Sequence, residues 1–191
     1  MHPGRIAFAL LLTGGIAFAQ APAAPKAEAD KAPTVGQVLD RQLANLEREF
    51  VPAAEALAED KFGFAPTSGE FKGVKTFAQQ VGHIGAANYM FAAGILGEKA
   101  PVDLSGDDGP ATLKTKADYM KFLKDSFAYA HKAFAGITDA NATAAIPSPW
   151  GQGKATRLGL ASLTVAHGFD HYGQMVVYLR MNGIIPPASR K

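Results

Sequence analysis

Residues 157–187 read RLGLASLTVAHGFDHYGQMVVYLRMNGIIPP. The run reads as one long helix with a firm stop. Asn182-Gly183 offers a left-handed cap, and Pro186-Pro187 cannot continue a helix. His167 and His171 lie four residues apart. At that spacing two helical side chains are offset by about 40° and rise roughly 6 Å along the axis. Both rings therefore share a face and can bind one metal ion. Gln174 continues that face, and Asp170 borders it. What the rest of the chain brings to this face decides its use.

Three further helices precede it. Thr34 is an N-cap that opens a helix from about Val35 to Glu59, whose buried face is spaced by Leu39, Leu43, Leu46 and Phe50. Pro52 is expected to kink or divide it. Lys61 to Gly73 reads as a loop anchored by Phe62, Phe64 and Phe71. A second helix runs from about Val74 to Leu96 on Phe77, Val81, Ile84, Phe91 and Ile95, and Gly97 ends it. His83 lies beside that stripe, in line with Gln80, Ala87 and Met90. Gly82 and Gly85 flank His83 and would let another helix come close. Pro101 to Pro110 is a loop carrying Asp103, Asp107 and Asp108. A third helix starts at a Thr115/Asp118 capping box, faces the core with Met120, Leu123, Phe127, Ala130 and Phe134, and ends at Gly136. Asp139 to Lys154 is irregular around Trp150, the single tryptophan. No stretch alternates long enough to argue a sheet. The pattern predicts an all-α fold, a four-helix bundle with long connecting loops, in which metal ligands project from facing helices.

Composition narrows the function. Hydrophobic residues make up 48% of the chain and charged residues 19%, which suits a packed domain. A net charge of +2 leaves no electrostatic footprint for nucleic acid. Cysteine is absent, so disulfides, thiolate catalysis and Cys-zinc sites are excluded, and a metal site must use His, Asp, Glu or water. Residues 1–19 read as a signal peptide: Arg5 is basic, Ile6 to Ala19 is almost wholly apolar, and Ala17-Phe18-Ala19 is a small-x-small cleavage site. About 14 apolar residues are short for a bilayer span, so cleavage is expected to leave no stable membrane span, with a periplasmic or secreted product. Residues 20–33, rich in Ala and Pro, read as a flexible linker, and 34–187 as the helical domain.

Four histidines remain after the signal: His83, His131, and the His167/His171 pair. Three neutral imidazoles bind a divalent ion such as zinc, nickel or iron with a position left for water. Spacing alone does not say which singleton joins the pair. His131 sits at the margin of its apolar stripe near Lys132, where a solvated histidine is equally at home. Asp170 is the one candidate catalytic base, and the same carboxylate suits an acceptor orienting a histidine ring or a plain surface charge. Gln174 suits a residue supporting the ligands or a simple helix former. The residue after His167 is Gly168, so the H-E-x-x-H peptidase motif is missing. Gly159, Gly168 and Gly173 each cost about 1 kcal/mol in a helix interior, and read as close packing or as room for a ligand.

His83, together with His167-x3-His171-x2-Gln174 and the run Tyr178-Leu179-Arg180-Met181-Asn182-Gly183-Ile184-x-Pro186, resembles the DinB-like superfamily of metal-binding four-helix bundles. The resemblance covers about Thr34 to Pro187. It implies a divalent metal held by His83, His167 and His171, with His131 outside the set, and homodimers among the assemblies. It implies no DNA binding. Some members look like transferases or isomerases that use low-molecular-weight thiols, which are largely cytoplasmic, whereas this chain carries an export signal. The expectation is an exported metal-binding bundle, a metal-dependent hydrolase or transferase of an unknown small molecule. The alternative is a non-catalytic interaction module with a structural metal or none. An open pocket walled by the loops around Phe64 and Trp150 would favour the enzyme. Ligation needs neutral imidazoles, so metal affinity is expected to fall below about pH 6.

Overall fold

Thr34, Thr76 and Thr115 start three helices in the same way. Each hydroxyl accepts the N–H of the residue three positions on, and the side chain there (Gln37, Gln79 or Asp118) accepts the cap's own N–H. These boxes open α1 (Val35–Ala56), α2 (Phe77–Leu96) and α3 (Lys116–Ala135). The last helix, α4 (Arg157–Met181), starts at Thr156, whose hydroxyl accepts the Gly159 N–H. The computed structural model describes Met1 and residues 32–190. Nearly all of the expected signal peptide (1–19) and linker (20–33) falls on residues 2–31, outside the described residues. Pro33–Lys191 forms one compact unit.

Where the elements depart from the sequence pattern, local chemistry explains it. α1 runs through Pro52 without dividing. Proline removes one N–H, and the rest of the helix is held by its buried face. α1 stops at Ala56 rather than Glu59, followed by a short 3-10 turn at Glu59–Lys61. The end lacks a glycine cap. Instead Lys116 of α3 reaches across and donates to the Glu55 and Leu57 carbonyls at 2.8 and 2.6 Å, covering acceptors the helix leaves orphaned. α2 begins at Phe77, after the Val74 expected, because Thr76 is the cap. A two-stranded antiparallel ribbon, β1 (Ala145–Pro147) with β2 (Lys154–Thr156), precedes α4. Three residues per strand are too few to announce themselves by alternation. Gly151 and Gly153, both at positive φ, turn the chain between them.

The neighbours of each helix set the topology. α2 packs on α3 and α4, and α1 packs on α3 and α4, so α1 faces α2 across a diagonal. Gly82, Gly85 and Asn88 of α2 meet Tyr119, Phe122 and Ser126 of α3 in the same order, so these two run parallel. Gln80 lies against Gln174 and His83 against His167, so α2 and α4 run antiparallel. Parallel neighbours cannot be joined by a tight turn. Residues 97–115 therefore travel back along the bundle from the end of α2 to the start of α3. A 20-residue helix is about 30 Å long, and an extended chain covers up to about 3.5 Å per residue, so this crossover has slack to wind over the face of α2.

The core is aromatic and aliphatic. Phe50, Phe77, Phe127, Phe134, Leu43, Leu46, Leu123 and Met175 have no measurable exposure. Every residue assigned to a buried stripe from periodicity in the first three helices is buried. No described helix is long and apolar enough to cross a membrane.

Candidate metal centre

α2 and α4 face each other along two matching stripes. On α2, Gln80, His83, Ala87 and Met90 follow one another at three- and four-residue steps. On α4, Leu163, His167, His171 and Gln174 do the same in the opposite direction. The antiparallel pairing lays His83 against the His167/His171 pair. His83 Nε2 is 3.3 Å from His167 Nε2, and His171 Nε2 is 3.1 Å from it. The three rings, one buried and two half-buried, stand close enough to hold a metal ion. His131 lies elsewhere, on the α1/α3 seam, between Asp40 (2.5 Å) and Glu47 (3.1 Å).

The protons in this cluster can be assigned from its partners. His83 Nδ1 is 2.8 Å from the Asp107 carbonyl, which can only accept, so Nδ1 carries the proton. The second assignment runs through a relay. The Asp170 carboxylate accepts from Gln174 Nε2 at 3.1 Å, and Gln174 Oε1 accepts from Gln80 Nε2 at 2.9 Å. Gln80 Oε1 is left to accept the His171 Nδ1–H. The carboxylate thus sets both amides and the His171 tautomer. His83 and His171 consequently turn bare Nε2 lone pairs toward His167 Nε2. One proton on His167 serves one of those lone pairs well and not both. A cation among the three serves all of them, so the donor set fits a divalent metal.

Electrostatics favour the neutral form of the two α4 rings. Burial first, then the His167 and His83 rings, push His171 down to about 4. Burial and His83 also hold His167 below the ordinary imidazole range, against the opposing pull of Asp170 and Asp107. Asp107 is held low, chiefly by its hydrogen bond from Lys75. Lys75 bridges Asp107 (2.5 Å) and Asp108, and so pins the crossover beside His83. Burial works against the Lys75 charge, but the two carboxylates outweigh it and its pKa is raised.

A cavity of about 330 Å³ opens against His83 and His167. Met90, Phe91, Leu104, Trp150 and Leu163 form most of its wall, with Asp107 at one side. Trp150 comes from the β1–β2 loop and packs at a tilt on Phe91, 5.6 Å between ring centres, and Phe91 in turn lies 6.2 Å from the His167 ring. Phe64, expected as the other wall, packs on Tyr178 instead. The crossover takes its place. The glycines beside His83 also serve neighbours other than α4: Gly85 lies under the Phe122 ring of α3, and Gly82 under the Asp108 carbonyl of the crossover. On α4, Leu46 of α1 fills the space a Gly168 side chain would need, while Gly173 faces open space.

Sequence reasoning named His83, His167, His171, Gln174 and Asp170. The structure brings all five into one network. It adds Gln80 and Asp107, both visible in the sequence but given no role there. Gln80 stands one helical step before His83 on the same stripe, which was the available signal. Asp107 contributes a backbone carbonyl, and no residue pattern marks that.

A family model described as the DinB superfamily matches residues 42–175. The chain belongs to that superfamily. Two solved structures share the fold. A DinB-like protein from Bacillus cereus aligns with a TM-score of 0.64 at 16% identity, over 78% of this chain and 93% of its own. A DinB-like protein from Bacillus subtilis aligns at 0.58 with 20% identity, over 76% and 92%. Among curated proteins no sequence matches.

Proposed function

We propose that this DinB-superfamily bundle binds one divalent metal through His83, His167 and His171 and uses it on a small molecule held in the adjoining cavity, as a hydrolase or group transferase. The observation that carries the reading is the convergence of three Nε2 atoms within 3.1 to 3.3 Å steps, with the outer nitrogens of His83 and His171 committed to the Asp107 carbonyl and Gln80. A divalent ion there would supply Lewis-acid polarisation of a ligand oxygen, nitrogen or sulfur. The chain's own groups do the rest. Asp170, Gln174 and Gln80 hold the His171 tautomer, and the Asp107 carbonyl holds that of His83. Met90, Phe91, Leu104 and Trp150 give the cavity an apolar wall against which a small molecule can lie. Asp170 is engaged by Gln174, which supports an orienting role over that of a base. Export of the mature chain belongs to the proposal and rests on the apolar run from Ile6 to Ala19.

Metal analysis of untagged protein tests the reading. The intact chain is expected to hold one equivalent of metal, His171→Ala to lose it, and His131→Ala to keep it. Equal metal content in the two variants would overturn the assignment.

A further inference from the structure

The histidine cluster has two unlike ends. Toward Gln80 and Gln174 the neighbouring groups are polar and already bonded to one another through to Asp170. Toward Met90 and Leu163 the cavity lies open and its wall is apolar. No lysine or arginine lines it among the described residues. Asp107, the one carboxylate, is taken: Lys75 holds one oxygen at 2.5 Å, and the other lies 3.3 Å from His83 Nδ1. Apart from Asp107, which Lys75 and His83 already engage, no lining side chain would compensate a charge on the body of a ligand, and an uncompensated charge against apolar walls is strongly disfavoured. A volume of about 330 Å³ suits a small molecule. The mouth is bordered by Trp150 and Leu163, which are 58% and 37% exposed, so a ligand enters from solvent past an aromatic face.

Resting on the three-histidine reading, we infer that the ligand is a small molecule with an uncharged, apolar body and a single metal-seeking donor group at one end. The donor group meets the histidine cluster, and the body lies between Met90, Phe91, Leu104 and Trp150. Carboxylated and aminated relatives of the same size are rejected by the wall, because each would bury a charge without a partner. The specificity belongs to the body of the ligand. The donor group is recognised by the metal and says little about the rest.

Three hydroxamates that share the same chelating head test this: benzohydroxamate, 4-carboxybenzohydroxamate and 4-(aminomethyl)benzohydroxamate. Each is titrated into full-length metal-loaded protein, following heat of binding and the emission of Trp150, the only tryptophan. The neutral probe is expected to bind at least tenfold tighter than either charged one and to shift the Trp150 emission. Leu163→Lys, a change at an exposed helix position, is expected to reverse the order for the carboxylated probe. Metal content is measured on the same samples. Full metal content with equal or tighter binding of a charged probe overturns the inference and leaves the metal site standing. Binding that leaves Trp150 unmoved also overturns it. Protein that takes up no metal overturns the three-histidine reading, and the inference with it.

Discussion

A histidine ligand is defined by which nitrogen lacks a proton, and that is decided outside the ring. For His171 the decision passes through Gln80 and Gln174 to Asp170, on two helices. Gln80 is therefore a positioning residue for the metal. Gln80→Leu keeps the volume but removes the acceptor for the Nδ1 proton. Its metal affinity is expected to fall by about 10- to 100-fold, the usual loss when a ligand's hydrogen-bond partner goes. A competing chelator measures this, and Gln80→Glu, which restores an acceptor, should recover most of it. Unchanged affinity in the leucine variant would remove Gln80 from the site. The same environment alters the acid limit. An ordinary imidazole would begin to lose metal below about pH 6, but His171 stays neutral to about 4, so protons compete for this ligand only in more acidic solution.

Among the elements, the crossover at residues 97–115 does the most for the site. It exists because α2 and α3 are parallel, and it passes over the one face of α2 that carries His83. Gly82 lets it lie flat there, since a side chain would meet the Asp108 carbonyl. Lys75, immediately before α2, clamps it through Asp107 and Asp108, and its own carbonyl accepts the Tyr178 hydroxyl of α4 at 3.0 Å. Lys75→Met is expected to loosen the crossover, weakening metal binding several-fold while the melting temperature moves by only a few degrees. Partly exposed ion pairs contribute about 1 kcal/mol or less to stability. Hydrogen exchange should show faster opening of residues 103–109 in this variant. If those amides exchange as in the parent, the clamp has no such role.

Across the whole molecule, the cluster links stability to pH. His171 has an ordinary value near 6.5 when the chain is unfolded and about 4 when it is folded. Between those values the unfolded chain binds the proton and the folded chain does not. Metal-free protein is therefore expected to lose stability as pH falls from about 6.5 to about 4, with no further loss from this group below that. Urea denaturation of metal-free protein at pH 7 and pH 4.5 checks the sign. The drop should be larger for the parent than for His171→Ala, and an equal drop in both would rule out this source. Metal should oppose unfolding at neutral pH by binding only the folded chain, by about 2.7 kcal/mol at a hundredfold excess over its dissociation constant.

The sequence by itself determined the helices, their buried faces and the pair of ligands on α4. Each of these follows from interactions within a few residues: periodic apolar positions, threonine caps, the His167/His171 step of one helical turn. It also held the motif resemblance that singled out His83. The bundle order, the parallel α2/α3 pair and the crossover it requires were decided only in three dimensions. So were the Asp170–Gln174–Gln80 relay, the carbonyl of Asp107 behind His83, and the exchange of Phe64 for Leu104 in the cavity wall. All of these join residues far apart in the chain, through backbone atoms and amide groups whose pairing no local pattern encodes. Packing the helices in one particular order is what turned two stripes of side chains into one site.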